Sequence, residues 1–294
     1  MATVKGSNIE MMPLGLGRQT IWHLQKMKDE GKKITMVGTA YMDPIFTMLC
    51  EKSGVNLVRY ASPGETVEQR AANVPWWTRA LRKMAPNICL NAVLQTQQCA
   101  SKEKALENAA IAVADGADSV MVMGIQNEIL KYLADNYIAV FGHVGVLSGW
   151  QTGRFGGYRR VGKTAESALD VFRMAYEYQE NGMAGMTIEM TPREVTNLVA
   201  KKLRVPVIEV AGGGAADGSE MVIFDLLGLL PPEAMAKHSK AYASLLEVCM
   251  KGFSGFVEEV NSEAYPAEEH GWGMDPEEFE KFANEVEKKY PDVK

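Results

Sequence analysis

The feature that most restricts the fold of this chain is a repeated punctuation: a short apolar run, a helical stretch, then a glycine before the next apolar run. "TIWHLQKMKDEGKK" reaches Gly31 ahead of "ITMVGTAY", and "DPIFTMLCEKSG" reaches Gly54 ahead of "VNLVRY". The alternation continues through "NICLNAV", "SKEKALENAAIAVADGA", "DSVMVMG", "NEILKYLADN" and "IAVFGHVGV". After a glycine-rich loop come "AESALDVFRMAYEYQENG", "AGMTIEM", "TPREVTNLVAKKL", "VPVIEVAGG" and "MVIFDLLGL". With the last element placed in the "IFDLLGL" region, the pattern predicts an α/β fold, a (β/α)8 TIM barrel with an N-terminal helix and a C-terminal helical extension. Periodicity identifies the units better than their closure, so an open Rossmann-like sheet is the alternative.

The 294 residues are enough for one large core. They are read as a single barrel domain spanning 1–294, with the barrel at about 33–235 and the helical extension at about 236–294. A net charge of −6 with scattered basic residues predicts no nucleic-acid partner and no anionic membrane surface. Cys50, Cys89, Cys99 and Cys249 lie far apart, without metal-site spacing, and read as buried reduced thiols. There is no secretion-signal pattern and no long apolar span, so the expectation is a cytoplasmic protein.

Barrel enzymes work at the C-terminal ends of their strands. His143 in "VFGHVG" is placed there, either to move a proton or orient an oxygen, or to satisfy loop backbone. Glu189 in "MTIEMTP" is a carboxylate ending an apolar strand, an acid/base candidate with helix capping as the alternative. Glu209 in "VIEVAGG" ends a later strand, and the two carboxylates could share a proton. The loop "SGWQTGRFGGYRRVGK" offers Trp150, Arg154 and Arg159 to a carboxylate-bearing substrate, or serves as a solvated flap. Arg59 and Ser62 follow another strand, and Trp76 and Trp77 either cover a substrate or pack a helix. "GGGAADG" lacks the order of a dinucleotide fingerprint.

Taken together, "FGHVG", "FGGYRRVGK", "IEMTP", "VPVIEVAGGG" and "YPAEEH" resemble the ketopantoate hydroxymethyltransferase family, in the phosphoenolpyruvate mutase and isocitrate lyase group. The likeness runs from about Lys33 to His270. It implies a (β/α)8 barrel, a homo-oligomer, a divalent metal that holds a 2-oxo acid, and a one-carbon unit from methylenetetrahydrofolate. It also implies a substrate-contacting role for His143, an acid/base role for Glu189 and a strand-end position for Tyr41.

The departures from the family pattern concern the metal. Its "GDS" is "ASP" here, with Ser62 at the metal aspartate and Pro63 at a substrate serine. Val93 stands at the second aspartate, Met121 at a substrate lysine and Met123 at a metal-linked glutamate. A hard ion such as Mg²⁺ needs oxygen ligands that this set lacks. No metal site and no cofactor are therefore expected, Mg²⁺ and methylenetetrahydrofolate entering only with the full family activity.

The expected function is carbon–carbon bond formation or cleavage through an enolate, on a small oxo- or carboxyl-bearing substrate. Glu189 and His143 are the catalytic candidates, with Tyr41, Arg59, Ser62, Asn91, Trp150, Arg154, Arg159 and Glu209 around the substrate. The alternatives are a metal-independent hydrolase, decarboxylase or isomerase, an authentic ketopantoate hydroxymethyltransferase, and a non-catalytic metabolite-binding barrel.

Overall fold

The computed structural model describes residues 17–39, 42–147, 152 and 157–291. Its centre is an eight-stranded parallel sheet. The strands are β1 (Ile34–Thr39), β2 (Leu57–Tyr60), β3 (Cys89–Leu94), β4 (Ser119–Val122), β5 (Phe141–Gly145), β6 (Gly185–Glu189), β7 (Val207–Val210) and β8 (Gly218–Val222). Their order is β4-β3-β2-β1-β8-β7-β6-β5. The two ends meet at a bridge between Val120 and Val140, where the Val120 amide donates to the Ala139 carbonyl at 3.0 Å. The sheet is thus a nearly closed barrel, which removes the open-sheet alternative.

One boundary differs from the sequence expectation. The eighth strand is "GSEMV", upstream of "IFDLLGL", and Ile223–Leu226 form a single helical turn. Gly218–Val222 pair in parallel with β1, and Gly218 and Ser219 also pair with β7. Ile223, by contrast, belongs to the outer core, with Phe224 and Leu226 packed against it. Short apolar runs carry little period information, so a run that buries one helical side reads like a strand.

Side chains alternate across the barrel wall as the pleat requires. Outward residues such as Val58, Leu90, Val120, Met186 and Ile188 meet the surrounding helices in one large core. Inward, Met36, Leu57, Cys89, Phe141 and Ile208 fill the N-terminal end of the barrel. Leu24 of α1 (Ile21–Asp29) packs with that inner group and is fully buried, so the N-terminal helix stoppers the barrel from below. α1 is tied down by Lys28, whose Nζ reaches the Asp217 carboxylate at 2.6 Å.

The helices α2 (Pro44–Lys52), α3 (Val67–Met84), α4 (Lys102–Ala114), α5 (Asn127–Asp135), α6 (Ala165–Glu180) and α7 (Arg193–Lys202) follow the first six strands in turn. Thr66 caps α3 by accepting from the Gln69 amide at 3.1 Å. Trp77 of α3 packs on the outer core and Trp76 is half exposed; neither lines the central cavity. Past the helical turn α8 (Ile223–Leu226), the chain carries α9 (Leu245–Asn261) and α10 (Pro276–Lys289), neither of which buries a residue. Cys50, Cys89 and Cys99 are buried and unpaired, and Cys249 is intermediate. No helix among the described residues is long and apolar enough to cross a membrane.

Candidate active site

Above the apolar floor, the barrel interior becomes polar. The register sets Gly38 beside Arg59, Arg59 beside Asn91, and Asn91 beside Ser119, which puts all four on the inner face. Arg59 Nε donates to Asn91 Oδ1 at 2.8 Å, and Asn91 Nδ2 donates to Ser119 Oγ at 2.8 Å. From the other side, Arg59 Nη1 donates to Thr187 Oγ1 and to Glu220 Oε2, each at 3.0 Å. Thr187 Oγ1 in turn donates to Glu220 Oε2 at 2.9 Å.

All members of this layer are buried. Burial pushes the Arg59 guanidinium down from its ordinary range, while the carboxylates of Glu220 and Glu189 oppose that shift. Room for Glu220 comes from Gly38: a Cβ there would collide with the Glu220 carboxylate.

The next layer toward the C-terminal mouth holds His143 and Glu189. His143 Nε2 lies 2.7 Å from Glu189 Oε2, and both residues are buried. Neither imidazole nitrogen has a well-directed hydrogen-bond partner among the described residues, so the two groups meet at ion-pair distance with a bent approach. Glu189 is aimed by the backbone around it. Gly145, with φ +90°, lies against the Glu189 main chain where a side chain would clash, and the Val146 amide donates to the Glu189 carbonyl at 3.0 Å. These groups open into a cavity of about 360 Å³, also lined by Arg70, Gln95, Met121, Met123 and Tyr158.

The expected site residues divide accordingly. Glu189, His143 and Arg59 line this cavity, and Asn91 holds Arg59 from below. Ser62 does not line it: its hydroxyl donates to the Arg70 carbonyl at 2.5 Å, which ties down the start of α3. Arg159 faces a different cavity, of about 410 Å³, beside Val161 and Met174. Tyr41, Trp150 and Arg154 lie outside the described residues.

Glu209 also departs from expectation. The register puts Glu189 beside Val210 and Glu209 beside Ile188, so the two carboxylates leave opposite faces of the sheet and share no proton. Glu209 accepts from the Gly212 and Gly213 amides at 3.1 and 2.8 Å and from the Ser219 hydroxyl, which fixes the β7–β8 loop. The carboxylate that does share the interior with Glu189 is Glu220. Sequence reading missed it because its strand was misplaced. It also missed Arg70, which sits at the first turn of α3 with Nε donating to the Gly64 carbonyl at 2.8 Å.

The divalent ion implied by the family resemblance does not fit the described residues. Ser62 is committed to backbone, and Val93, Met121 and Met123 present no oxygen donor to the cavity. Among the described residues, no group of three or more histidine, cysteine or acidic side chains could hold a metal ion.

A family model described as ketopantoate hydroxymethyltransferase matches residues 18–268. The chain belongs to the ketopantoate hydroxymethyltransferase family. Within it, the chain is 30% identical over 283 residues to 3-methyl-2-oxobutanoate hydroxymethyltransferase 1 of Methylibium petroleiphilum, covering 92% of this chain and 95% of that one. It is 33% identical to the 3-methyl-2-oxobutanoate hydroxymethyltransferase of Thermotoga neapolitana, over 84% of this chain and 94% of the relative.

Among solved structures, 2,3-dimethylmalate lyase, a PEP mutase/isocitrate lyase superfamily member, has a TM-score of 0.51 at 9% identity, covering 90% of this chain and 98% of that one. Phosphonopyruvate hydrolase has a TM-score of 0.50 at 13% identity, covering 93% and 100%. At those identities the likeness is one of fold. As a member of the ketopantoate hydroxymethyltransferase family, the chain is an enzyme of hydroxymethyltransferase or lyase kind.

Proposed function

We propose that this protein makes or breaks a carbon–carbon bond through an enolate, on a small oxo- or carboxyl-bearing substrate and without a divalent metal. The observation that carries the reading is the 2.7 Å approach of His143 Nε2 to Glu189 Oε2 inside the barrel mouth. In the forward direction, the Glu189 carboxylate takes the proton from the carbon beside the substrate carbonyl. The electron pair of that C–H bond moves toward the carbonyl oxygen; the enolate carbon then attacks a one-carbon electrophile, whose C=O or C=N π bond breaks onto its heteroatom, and that heteroatom takes the proton held by Glu189. In the reverse direction, breaking the C–C bond forms the same enolate, and Glu189 returns the proton. His143 relays the proton between Glu189 and the cavity. Arg70, at the mouth, takes a substrate carboxylate, the part sequence analysis gave to Arg154 and Arg159.

A second reading, authentic ketopantoate hydroxymethyltransferase activity, is favoured by the family match. It differs in requiring Mg²⁺ and methylenetetrahydrofolate. Assay of hydroxymethyl transfer to 3-methyl-2-oxobutanoate, with and without EDTA, separates the two. Turnover that persists in EDTA supports the metal-free reading, and complete loss rescued by Mg²⁺ sinks it.

The protein is further read as a cytoplasmic homo-oligomer. Support comes from the free thiols and from Phe253, Phe256, Phe279 and Phe282, all more than half exposed on α9 and α10.

A further inference from the structure

The polar layer below Glu189 contains a cation with donors to spare. Arg59 is 5% exposed, and its Nε and Nη1 are committed to Asn91, Thr187 and Glu220. Nη2 is buried and has no hydrogen-bond partner among the described residues. An N–H left in that state is costly unless an acceptor arrives during function. The guanidinium lines the same cavity as His143 and Glu189. Where the family resemblance implies two metal-linked carboxylates and a substrate lysine, that cavity presents Val93, Met123 and Met121 in turn.

We infer that Arg59 is the resident cation of this site, its Nη2 donating to the substrate oxygen on which negative charge develops, the task a divalent ion performs in a metal-holding barrel. This rests on the enolate reading above. As the C–H bond beside the carbonyl breaks, the proton goes to the Glu189 carboxylate and the electron pair to the carbonyl oxygen, which Nη2 meets. A guanidinium suits this use because it stays protonated and its fork is rigid: two corners are held by protein and the third has no protein acceptor among the described residues.

Glu220 is a positioning residue. It balances the Arg59 charge in the resting barrel and, with Thr187 and Asn91, fixes the plane of the fork from three other strands. Gly38 keeps the space that this carboxylate needs.

The test uses full-length, metal-stripped protein in EDTA, with 3-methyl-2-oxobutanoate as the probe. Binding is read by calorimetry, and exchange of the probe's C3 proton with D2O by NMR. Wild type should bind and exchange in EDTA, with less than about a two-fold change on adding Mg²⁺. Arg59→Lys, which keeps the charge but loses the fork, should slow exchange by roughly 100-fold.

Arg59→Met alone strands the Glu220 carboxylate, so the double variant R59M/E220Q removes both charges together. It should keep the wild-type circular dichroism spectrum and bind about 100-fold more weakly. Three results would overturn the inference: no binding by wild type at millimolar probe, exchange that appears only with Mg²⁺, or wild-type binding and exchange in the folded double variant. Arg59-dependent binding without any C3 exchange in wild type would leave Arg59 as the ligand-binding cation and reject the enolate reading instead.

Discussion

Gly38 and Glu220 occupy one place in the barrel between them, since a Cβ on Gly38 would collide with the Glu220 carboxylate. That carboxylate cannot simply swing aside, because Thr187 and Arg59 both donate to it. Gly38→Ala should therefore destabilise the fold by about 1–3 kcal/mol, the range for forcing a methyl into a packed interior. Denaturant unfolding monitored by circular dichroism measures it. An unchanged midpoint would mean that the layer gives way more easily than its hydrogen bonds indicate.

Glu189→Gln keeps the shape of the side chain and removes its capacity as a base. Turnover should fall by on the order of 10²–10⁴, with the unfolding midpoint nearly unchanged. Steady-state kinetics beside a thermal melt separates these effects, and equal turnover would remove Glu189 from the chemistry.

Glu209→Gln is the matching control on the outer face. It weakens the bonds from Gly212, Gly213 and Ser219 that hold the β7–β8 loop. The expected cost is about 1–2 kcal/mol of stability with turnover within roughly two-fold of wild type. A loss of turnover as deep as that of Glu189→Gln would contradict the opposite-face geometry.

Burial pushes the Cys50 thiol up to about 11 and the Cys99 thiol up to about 12, and raises Cys89 well above the ordinary thiol range. Only the thiolate attacks, and at pH 8 a thiol titrating near 11 is roughly one-thousandth ionised. Cys249 should therefore label first with an aromatic disulfide reagent, and the other three only after unfolding. Mass mapping of the labelled peptides decides the order; early labelling of Cys89 would contradict its place in the barrel floor.

The barrel was legible because each of its first seven strands carries an apolar run and most end in a glycine or polar break, a rhythm that survives without any knowledge of pairing. His143 and Glu189 were legible for a related reason: each is a polar residue at the end of such a run. Position along a strand is not the same as face, however. Glu189 and Glu209 both end apolar strands, yet the register sets them one residue out of step, which the sequence does not encode locally.

Glu220 was hidden more deeply. Its strand reads Gly-Ser-Glu-Met-Val, with a polar residue at its inward centre, and the more apolar "IFDLLGL" beside it drew the assignment away. Arg59 could be suspected as a ligand group. Its coupling to Asn91, Thr187 and Glu220, however, depends on strands up to 161 positions apart in the chain.

The bridge between Val120 and Val140 bears on how this ring withstands strain. A ring sewn shut at one stitch is, mechanically, a rolled ribbon with a slit. When that stitch slips, β4 and β5 become free margins while the remaining ladders hold, and the slit opens beside Met121. Met121 lies on β4 at that seam and also lines the central cavity, so the seam with the least backbone pairing borders the candidate site.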